Sequence, residues 1–560
     1  MKKVKRHRVV VRIASLLAMT SILVVLGGCQ TQASADEETE TPLTKEQIIE
    51  NLGTKLVTTR ADDQTEANKT YQAALANAEY TVAQPYIKVN PYETSPLTAL
   101  VIFTTAEKAK VSYTVVGKSA GTSITNTVNG GYQTQHQVPV VGLYAGNNTV
   151  NITVTSESGA TTTQKLTITT STTLPKYIKS TKITVTKNDK KKMAIGDNQL
   201  TFLVRTTKES FAVDADGAVR WYSTYYVQHM LQPISNGHIL MLTKESQSGD
   251  TYNDLLETDY LGRIYKEYLF DTKTGNSEQA GDDKTVIHHD IIELPNHDLL
   301  ATVSDGSKYV EDTMAVISHT TGKVKQIIDL KRILPEAMYQ SYKESDAGTV
   351  DWFHQNAVWY DKTDQSILIS GRNQDMILKM DLKTTNLKWI YSGKKKSTWP
   401  TKYQKLLLSP TAGTSVLGGQ HGINLLEDEN GDPSSEDILL YNNNINVTNG
   451  DKDTSGKYSE GVQYHIDTEK MTITETWSYG KSLGKANFTP AIGYTQKLSN
   501  GNYLIDFGWK SNATESNIIE VDGQEQVYNL TVSNPSSKAY VYRAYRLATY
   551  DEDYLFDVTN

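Results

Sequence analysis

The 560-residue sequence is longer than one ordinary hydrophobic core supports, so we expect at least two folded units. With 38% hydrophobic and 21% charged residues, it excludes both a polytopic membrane protein and a wholly disordered chain. The formal net charge is −8, but six basic residues lie before residue 29, and without them 50 basic residues face 64 acidic ones. An acidic body without a basic stripe argues against nucleic acid as a partner, because phosphate binding requires clustered Lys and Arg.

The first 28 residues have the layout of a secretory signal. A basic stretch, KKVKRHR, precedes an apolar run from Ile13 to Val25 and the small residues of LGGC, which ends at Cys29. LGGC resembles a bacterial lipobox, in which cleavage exposes the cysteine for lipid attachment; a free buried thiol is the alternative for this single cysteine. We predict a signal peptide at 1–28, a lipid anchor on Cys29 at the cell membrane, an extracytoplasmic location and a flexible acidic tether at 29–43.

Residues 44–81 predict a short helical segment. Thr44 begins TKEQ, a capping-box pattern, and the apolar Ile48 and Leu52 follow at helical spacing. A second helical stretch, from about residue 63 to 79, is rich in Ala and Gln and contains neither Gly nor Pro.

From residue 82 the pattern changes to short alternating runs such as TALVIFTT, KVSYTVVG and NTVNITVTS, separated by Asn and Gly. Strands of about six residues between turns predict a small β-sandwich domain at 82–175. The Lys-rich stretch at 176–194 is predicted to be a connector.

The remainder of the chain repeats. A turn followed by a β-rich run occurs six times, and residues 195–560 divide into six units of about 61 residues. Four short strands per unit, repeated in this way, predict an all-β domain, a six-bladed β-propeller. The final AYVYRAYRLATY could close the ring by adding a strand to the first blade. A pair of sandwiches with fortuitous spacing is the alternative.

Three histidines occupy the same register when the units are aligned by their first hairpins. The strands FHQNAVWYD, IHHDIIELP and QHGINLLED then superpose His354, His288 and His421. Because the first strand of a blade begins beside the central channel, we expect these imidazoles to share one pocket. Strand alternation predicts that His289 points away from His288. Each histidine alone could instead simply satisfy backbone groups.

Arg372 follows His354 by eighteen residues, on the second strand of the same unit. A guanidinium beside three histidines would form an oxyanion site for a sulfate, phosphate or carboxylate, whereas its structural alternative is a surface salt bridge. Zinc or copper is a rival occupant, with Asp290 or Asp351 as carboxylate ligands, but the arginine would repel a cation.

Other cofactor motifs are weak or missing. The alternating acidic residues of DENGD, 428–432, could form a calcium loop but are more typical of a hairpin turn. The sequence contains no dinucleotide-binding glycine motif, no Walker loop and no GxSxG elbow, so we expect no cofactor and no metal.

Four dispersed motifs, HHDIIELPN, DWFHQNAVWYD, SGRNQD and GGQHGINLL, together resemble bacterial arylsulfate sulfotransferases. The resemblance covers nearly the whole mature chain, including a sandwich with an NPYETSPLTAL entry before a six-bladed propeller. It implies transfer of a sulfuryl group from a phenolic sulfate ester to another phenol, by a ping-pong reaction through a sulfated histidine and without a nucleotide sulfate donor.

By motif, the resemblance implies that His421 is the nucleophile, while His354, Arg372 and one of His288 and His289 bind sulfate and transfer protons. The register argument favours His288. Candidate substrate-binding residues are His289, Asn356 and Trp352, and a core role is equally compatible with Trp352.

Two other functions remain open from the sequence. One is a non-catalytic propeller lipoprotein that binds a sulfated or carboxylated ligand; the other is a metal-dependent hydrolase or lyase on the same scaffold. The expected partners are the phenolic donor and acceptor and the membrane, and a homodimer is left open.

Overall fold

The structure is a computed structural model that describes residues 41–246, 248–277, 283–427, 432, 434–538 and 540–559. The predicted signal peptide, Cys29, most of the tether and most of the DENGD turn therefore lie outside the described residues. Within the described ranges, the helices are all too short or too polar to span a lipid bilayer.

The N-terminal segment is helical, as predicted. Lys45–Leu52 is capped by Thr44, whose hydroxyl accepts from Gln47 N while the Gln47 side chain accepts from Thr44 N. This helix buries Ile48 and Leu52. The second predicted stretch forms the helix Thr65–Ala76, and a short helix that was not predicted, Thr59–Asp63, precedes it.

The sandwich is organised around one long strand, Thr98–Val115. Its first half pairs with Tyr86–Val89 and Gln133–Val141, and its second half pairs with Ile124–Thr127 and Asn147–Ser156. The long strand thus passes from one layer to the other, and both layers contribute to one hydrophobic core. A last strand, Thr161–Thr169, lies beside Asn147–Ser156.

The C-terminal two thirds of the described chain form four-stranded antiparallel sheets, which we number 1 to 6. From the innermost strand outwards, the strands of sheets 1 to 3 are Arg543–Ala548, Gln199–Val204, Lys208–Val213 and Val219–Val227; Leu231–Pro233, Ile239–Thr243, Asp254–Thr258 and Ile264–Leu269; and Ile287–Glu293, Leu299–Val303, Thr313–Ile317 and Val324–Asp329. Those of sheets 4 to 6 are Gln355–Asp361, Ser366–Gly371, Met376–Asp381 and Leu387–Ser392; His421–Leu425, Ser435–Asn442, Glu460–Asp467 and Thr472–Tyr479; and Tyr494–Lys497, Tyr503–Lys510, Glu515–Asp522 and Glu525–Ser533.

These sheets form the predicted β-propeller. The C-terminal strand Arg543–Ala548 pairs with Gln199–Val204, so the last strand of the chain supplies the innermost strand of sheet 1, as predicted. Three sheets gain an additional edge strand: Lys55–Val57 joins sheet 2, Ser409–Pro410 joins sheet 5 and Lys182–Asn188 joins sheet 6.

The other elements are short. They are the two-stranded pair Thr251–Tyr252 and Lys284–Thr285, the helices Lys176–Lys179, Ala337–Gln340 and Thr401–Gln404, and the 3-10 segments Thr272–Thr274, Leu330–Arg332, Arg372–Gln374, Lys396–Thr398 and Lys481–Asn487.

A buried arginine connects the sandwich to the propeller. Arg220 of sheet 1 donates to the carbonyls of Gly142 and Thr122 in the sandwich, at 2.7 and 2.6 Å, and its guanidinium lies 3.9 Å from the ring centre of Tyr144. Its charge is balanced by Asp214, 3.2 Å away. The sandwich is therefore attached through the outer strand of sheet 1.

We expect Arg220→Met to lower the free energy of unfolding by about 3–5 kcal/mol, because the Asp214 carboxylate would stay buried without its cation. Urea unfolding followed by tryptophan fluorescence measures the change. The control is Lys470→Met, which removes an exposed ion pair with Asp467 and should leave the midpoint unchanged. Equal midpoints for both variants would contradict the connecting role of Arg220.

Candidate active site

The predicted site residues lie where the innermost strands of the sheets begin. His421 is the first residue of its strand, His354 immediately precedes one, and His288 and His289 lie near the start of a third. All four are buried. The repeat alignment therefore placed its three histidines correctly at one end of the propeller.

Each of these strands contains an irregularity at its first residues. The pairing register shifts between Ile287 and Ile291, between Gln355 and Ala357, and between His421 and Asn424. A β-bulge changes the direction in which side chains point, and bulges are common beside active sites. Side-chain directions near the axis consequently do not follow simple strand alternation.

His421 is held as a neutral imidazole. Its Nδ1 lies 2.7 Å from Asn443 Oδ1, and the Ile492 N–H donates to its Nε2 at 3.3 Å. Asn443 donates its own amide to the carbonyls of Thr489 and Ile492, which leaves Oδ1 as the acceptor for the imidazole N–H. Burial, together with the positive charge of Arg372, holds the pKa of His421 well below its usual value. Its Nε2 therefore carries a lone pair.

Arg372 opens a 3-10 turn at the end of the second strand of sheet 4. Its N–H donates to the His354 carbonyl at 3.1 Å, and its guanidinium donates to Asn373 Oδ1 at 2.8 Å and to the Pro490 carbonyl at 3.4 Å. Pro490 lies two residues before Ile492, which contacts His421. The guanidinium is thus supported by the same loop that contacts the nucleophile candidate.

The Arg372 and His421 motifs are also connected directly. Asp375, of SGRNQD, accepts from Gly419 N at 2.7 Å, and Gln420 donates to the carbonyls of Gly371 and Met376. Gly419 has φ +61°, and a Cβ there would lie 2.5 Å from Ile445, so a glycine is required in GGQHG.

His354 is held as an imidazolium. Its Nδ1 lies 2.7 Å from Asp351 Oδ2 and 2.7 Å from Glu311 Oε2. Burial alone would lower the pKa of His354, but the two carboxylates raise it well above its usual value. His354 and Glu311 both have positive φ, +53° and +59°, a backbone conformation that is uncommon for residues other than glycine.

The expectation that His289 points away from His288 is wrong. Their Nδ1 atoms lie 3.1 Å apart, because the bulge after Ile287 interrupts the alternation. The ring of His289 lies 4.7 Å from that of His354 and stacks at 4.9 Å on that of His229. Burial and the neighbouring histidines, His354 first, lower the pKa of His289 well below its usual value. Both residues of the HH motif thus belong to the cluster.

A buried arginine lies among the same innermost strands. Arg543, on the closing strand, donates to Asp290 at 2.8 Å and to the Asn356 carbonyl at 3.2 Å. Asp290 also accepts from Val358 N at 3.0 Å, so this carboxylate is already engaged. The contacts connect sheet 1 to sheets 3 and 4 across the centre of the propeller.

Two predicted substrate-binding residues have structural contacts. The Asn356 amide donates to the carbonyl of Gln420 at 2.7 Å, directly before His421. Trp352 is fully buried, donates to Asp312 at 2.6 Å and packs on Phe353, which is the core role that the sequence left open.

Sequence reasoning missed Glu311, Asn443, His229, Tyr542 and Arg543. A signal existed for one of them, because the hairpin alignment places His229, five residues before Ile234, at the position of His289. Glu311 and Asn443 lie outside the innermost strands, where the repeats share no sequence pattern. Tyr542, which stacks on His229 at 4.1 Å, immediately precedes the closing strand.

Among the described residues, three groups have ligand atoms within 4.8 Å of one another, as a metal would require: His288, His289 and Glu311; Glu311, Asp351 and His354; and Asp361, Asp364 and Glu436. The third group surrounds the Lys379 ammonium, which neutralises part of its charge.

A cavity of about 1080 Å³ lies at the opposite end of the innermost strands, between hairpins that include Pro295, Trp359 and Leu426, and none of the predicted site residues lines it.

Two family models match the chain. The model described as Arylsulfotransferase (ASST) matches residues 182–543, and the one described as Arylsulfotransferase Ig-like domain matches residues 86–171. The first match includes every predicted site residue of the propeller, and the second covers the sandwich strands almost completely.

Two curated relatives are similar in sequence. Arylsulfate sulfotransferase AssT of Escherichia coli O6:H1 (strain CFT073) is 23% identical over 359 residues, 53% of this chain and 57% of the relative. Arylsulfate sulfotransferase AssT of Lelliottia amnigena is 24% identical over 537 residues, 77% of this chain and 85% of the relative. The first match thus spans less than two thirds of that relative's length.

Two matching solved structures are distantly similar to this chain. The periplasmic gluconolactonase PpgL of Pseudomonas aeruginosa has a TM-score of 0.33 at 8% identity, covering 79% of this chain and 100% of its own. BamB of Moraxella catarrhalis has a TM-score of 0.26 at 10% identity, covering 76% of this chain and 99% of its own. TM-scores and identities this low allow no conclusion about this chain.

At pH 6.5, near the ordinary pKa of histidine, we expect His354 to be an imidazolium and His421 to be neutral, because the pKa of the first is raised and that of the second is lowered. Since the folded-state pKa of His354 is raised, its ion pairs stabilise the fold fully below the unfolded value of about 6.5, and this stabilisation is lost as the pH rises through the folded value.

NMR of histidine-labelled protein measures both protonation states. Asp351→Asn should lower the pKa of His354 and leave His421 neutral. A neutral His354 at pH 7 in the unsubstituted protein would contradict the assignment of charge.

Proposed function

The chain belongs to the arylsulfotransferase family of enzymes, and on that premise we propose that it moves a sulfuryl group from a phenolic sulfate ester to another phenol. We also propose that the group is carried on His421 between the two half-reactions, without a nucleotide sulfate donor. The observation that carries this proposal is the state of His421, a neutral imidazole with its Nε2 lone pair beside the fixed charge of Arg372.

In the first half-reaction, His421 Nε2 gives up its hydrogen bond from the Ile492 N–H and attacks the sulfur of the donor ester. An N–S bond forms, the S–O bond to the aryl group breaks, and the electron pair leaves with the phenolate. Negative charge on the sulfuryl oxygens is stabilised by fixed donors, for which the Arg372 guanidinium and the His354 imidazolium are the candidates. Both are held in place by protein contacts before the substrate binds.

Proton transfer is assigned to His354. As an imidazolium it can protonate the departing phenolate, whose phenol has a pKa of about 10. In the second half-reaction the neutral His354 takes the proton of the acceptor phenol, while the phenol oxygen attacks sulfur and the N–S bond breaks. Glu311 and Asp351 favour the charged form of His354, so its proton is restored at the end of the cycle. His421 is returned neutral.

The site of action is a separate proposal that depends on the sequence alone. The LGGC motif supports an enzyme attached by a lipid on Cys29 to the outer side of the cell membrane. We expect a Cys29→Ser variant to be found in the soluble fraction, and membrane association of that variant equal to the unsubstituted protein would contradict the anchor.

For the reaction itself, we expect p-nitrophenyl sulfate alone to produce one burst of p-nitrophenolate and a mass gain of about 80 Da on His421, with sustained release only after phenol is added. His421→Ala should abolish both the adduct and the turnover. Stopped-flow absorbance and intact-mass spectrometry follow the two signals.

The matched control is His465→Ala, on the third strand of the same sheet, whose half-exposed side chain pairs with Asp437. It should retain full activity.

Arg372→Ala should lower kcat by about 100- to 1,000-fold, and Arg372→Lys should recover part of this, because lysine keeps the charge but loses the planar fork. Normal turnover of His421→Ala would overturn the covalent mechanism; a folded protein with neither adduct nor turnover would instead indicate an anion-binding propeller.

A further inference from the structure

Three ligand atoms beside the proposed sulfuryl site are arranged as a transition metal requires. His288 Nδ1 and His289 Nδ1 lie 3.1 Å apart, and His289 Nδ1 lies 3.7 Å from Glu311 Oε2. One ligand atom from each of the three residues lies within 4.8 Å of those of the other two. In a tetrahedral zinc site with bonds of about 2.0–2.2 Å, neighbouring ligand atoms are about 3.4 Å apart. The spacing therefore needs only small adjustments to hold an ion.

The surroundings also favour a cation. Two imidazoles and one carboxylate are ligands that Zn²⁺ and Cu²⁺ prefer. Glu311 and Asp351 place two carboxylates beside His354, on the side of its ring where the ion would bind. The ring of His289 is oriented by stacking on His229, whose Nδ1 lies within hydrogen-bonding distance of the His288 carbonyl. Such supporting contacts fix the ring orientation of metal-binding histidines.

We propose that His288, His289 and Glu311 form an inhibitory binding site for a divalent transition-metal ion. Glu311 Oε2 lies 2.7 Å from His354 Nδ1, so the same oxygen would serve either the ion or the imidazolium. An ion at this site withdraws Glu311 from His354 and adds positive charge beside it. His354 then loses one of the two carboxylates that hold its ring in place beside the sulfuryl site. The inhibitory part of this proposal rests on the proposed function; the binding part does not.

The binding test uses Zn²⁺ and Co²⁺ with the purified, metal-stripped chain carrying no histidine tag. We expect calorimetry to show one Zn²⁺ per chain, and Co²⁺ to develop the intense visible absorption of a tetrahedral site. Glu311→Gln and His288→Asn should each weaken Zn²⁺ binding by at least about 10-fold, because both remove a direct ligand. The matched control is His297→Asn, an exposed histidine paired with Glu293, which should bind Zn²⁺ as tightly as the unsubstituted chain.

One further variant and two assays separate the possible outcomes. Asp351→Asn should keep the Zn²⁺ affinity; if it loses binding while His288→Asn keeps it, the ion occupies Glu311, Asp351 and His354 instead and the proposal is wrong. Thermal unfolding of each variant shows that it is folded, and His288→Asn decides the question if Glu311→Gln does not fold.

Zn²⁺ should abolish p-nitrophenolate release and a chelator should restore it. Absence of Zn²⁺ binding would overturn the proposal, whereas Zn²⁺ binding without any transfer activity would overturn only the proposed function.

Discussion

The arrangement of the site depends on one buried carboxylate, that of Asp375. One of its oxygens accepts from the N–H of Gly419, and the other accepts from four consecutive N–H groups, those of Val447, Thr448, Asn449 and Gly450. Because Asp375 closes the turn that begins at Arg372, and Gly419 lies two residues before His421, these bonds set the position of the guanidinium relative to the imidazole. A carboxylate with this many donors cannot shift without leaving several buried N–H groups unpaired, so the Arg372 guanidinium and the His421 imidazole move together.

Opposite protonation states in two neighbouring histidines follow from their partners. His421 meets a neutral amide and a cation, whereas His354 meets two carboxylates, and both are equally buried. Burial alone would neutralise both, so the carboxylates decide the difference. The positive φ of His354 and Glu311 shows what this pairing requires: each backbone is held in a conformation that costs energy, which the surrounding strands of sheets 3 and 4 must compensate.

The sequence predicted the parts of this structure that repeat. The propeller follows from the hairpin spacing, and the common position of His288, His354 and His421 follows from aligning those hairpins, because a β-blade repeats its backbone.

The features of the site that do not repeat were missed or predicted wrongly. The orientation of His289 was wrong because a bulge, which has no signature in HHDII, interrupts alternation. Glu311 and Asn443 contact the histidines from outside the innermost strands, and only the folded chain brings them there. Trp352 lies beside His354 in sequence but points into the core.

The closing strand has a consequence for the order in which the enzyme is made. Arg543 belongs to the innermost strand of sheet 1 but contacts Asp290 and Asn356 in sheets 3 and 4, which are synthesised much earlier. A nascent chain can form five sheets and still lack this central cation, so the carboxylate of Asp290 has no cationic partner from Arg543 until translation has reached the last residues. Completion of the ring and completion of the site are therefore the same event, and an interrupted chain carries the catalytic motifs without a finished centre.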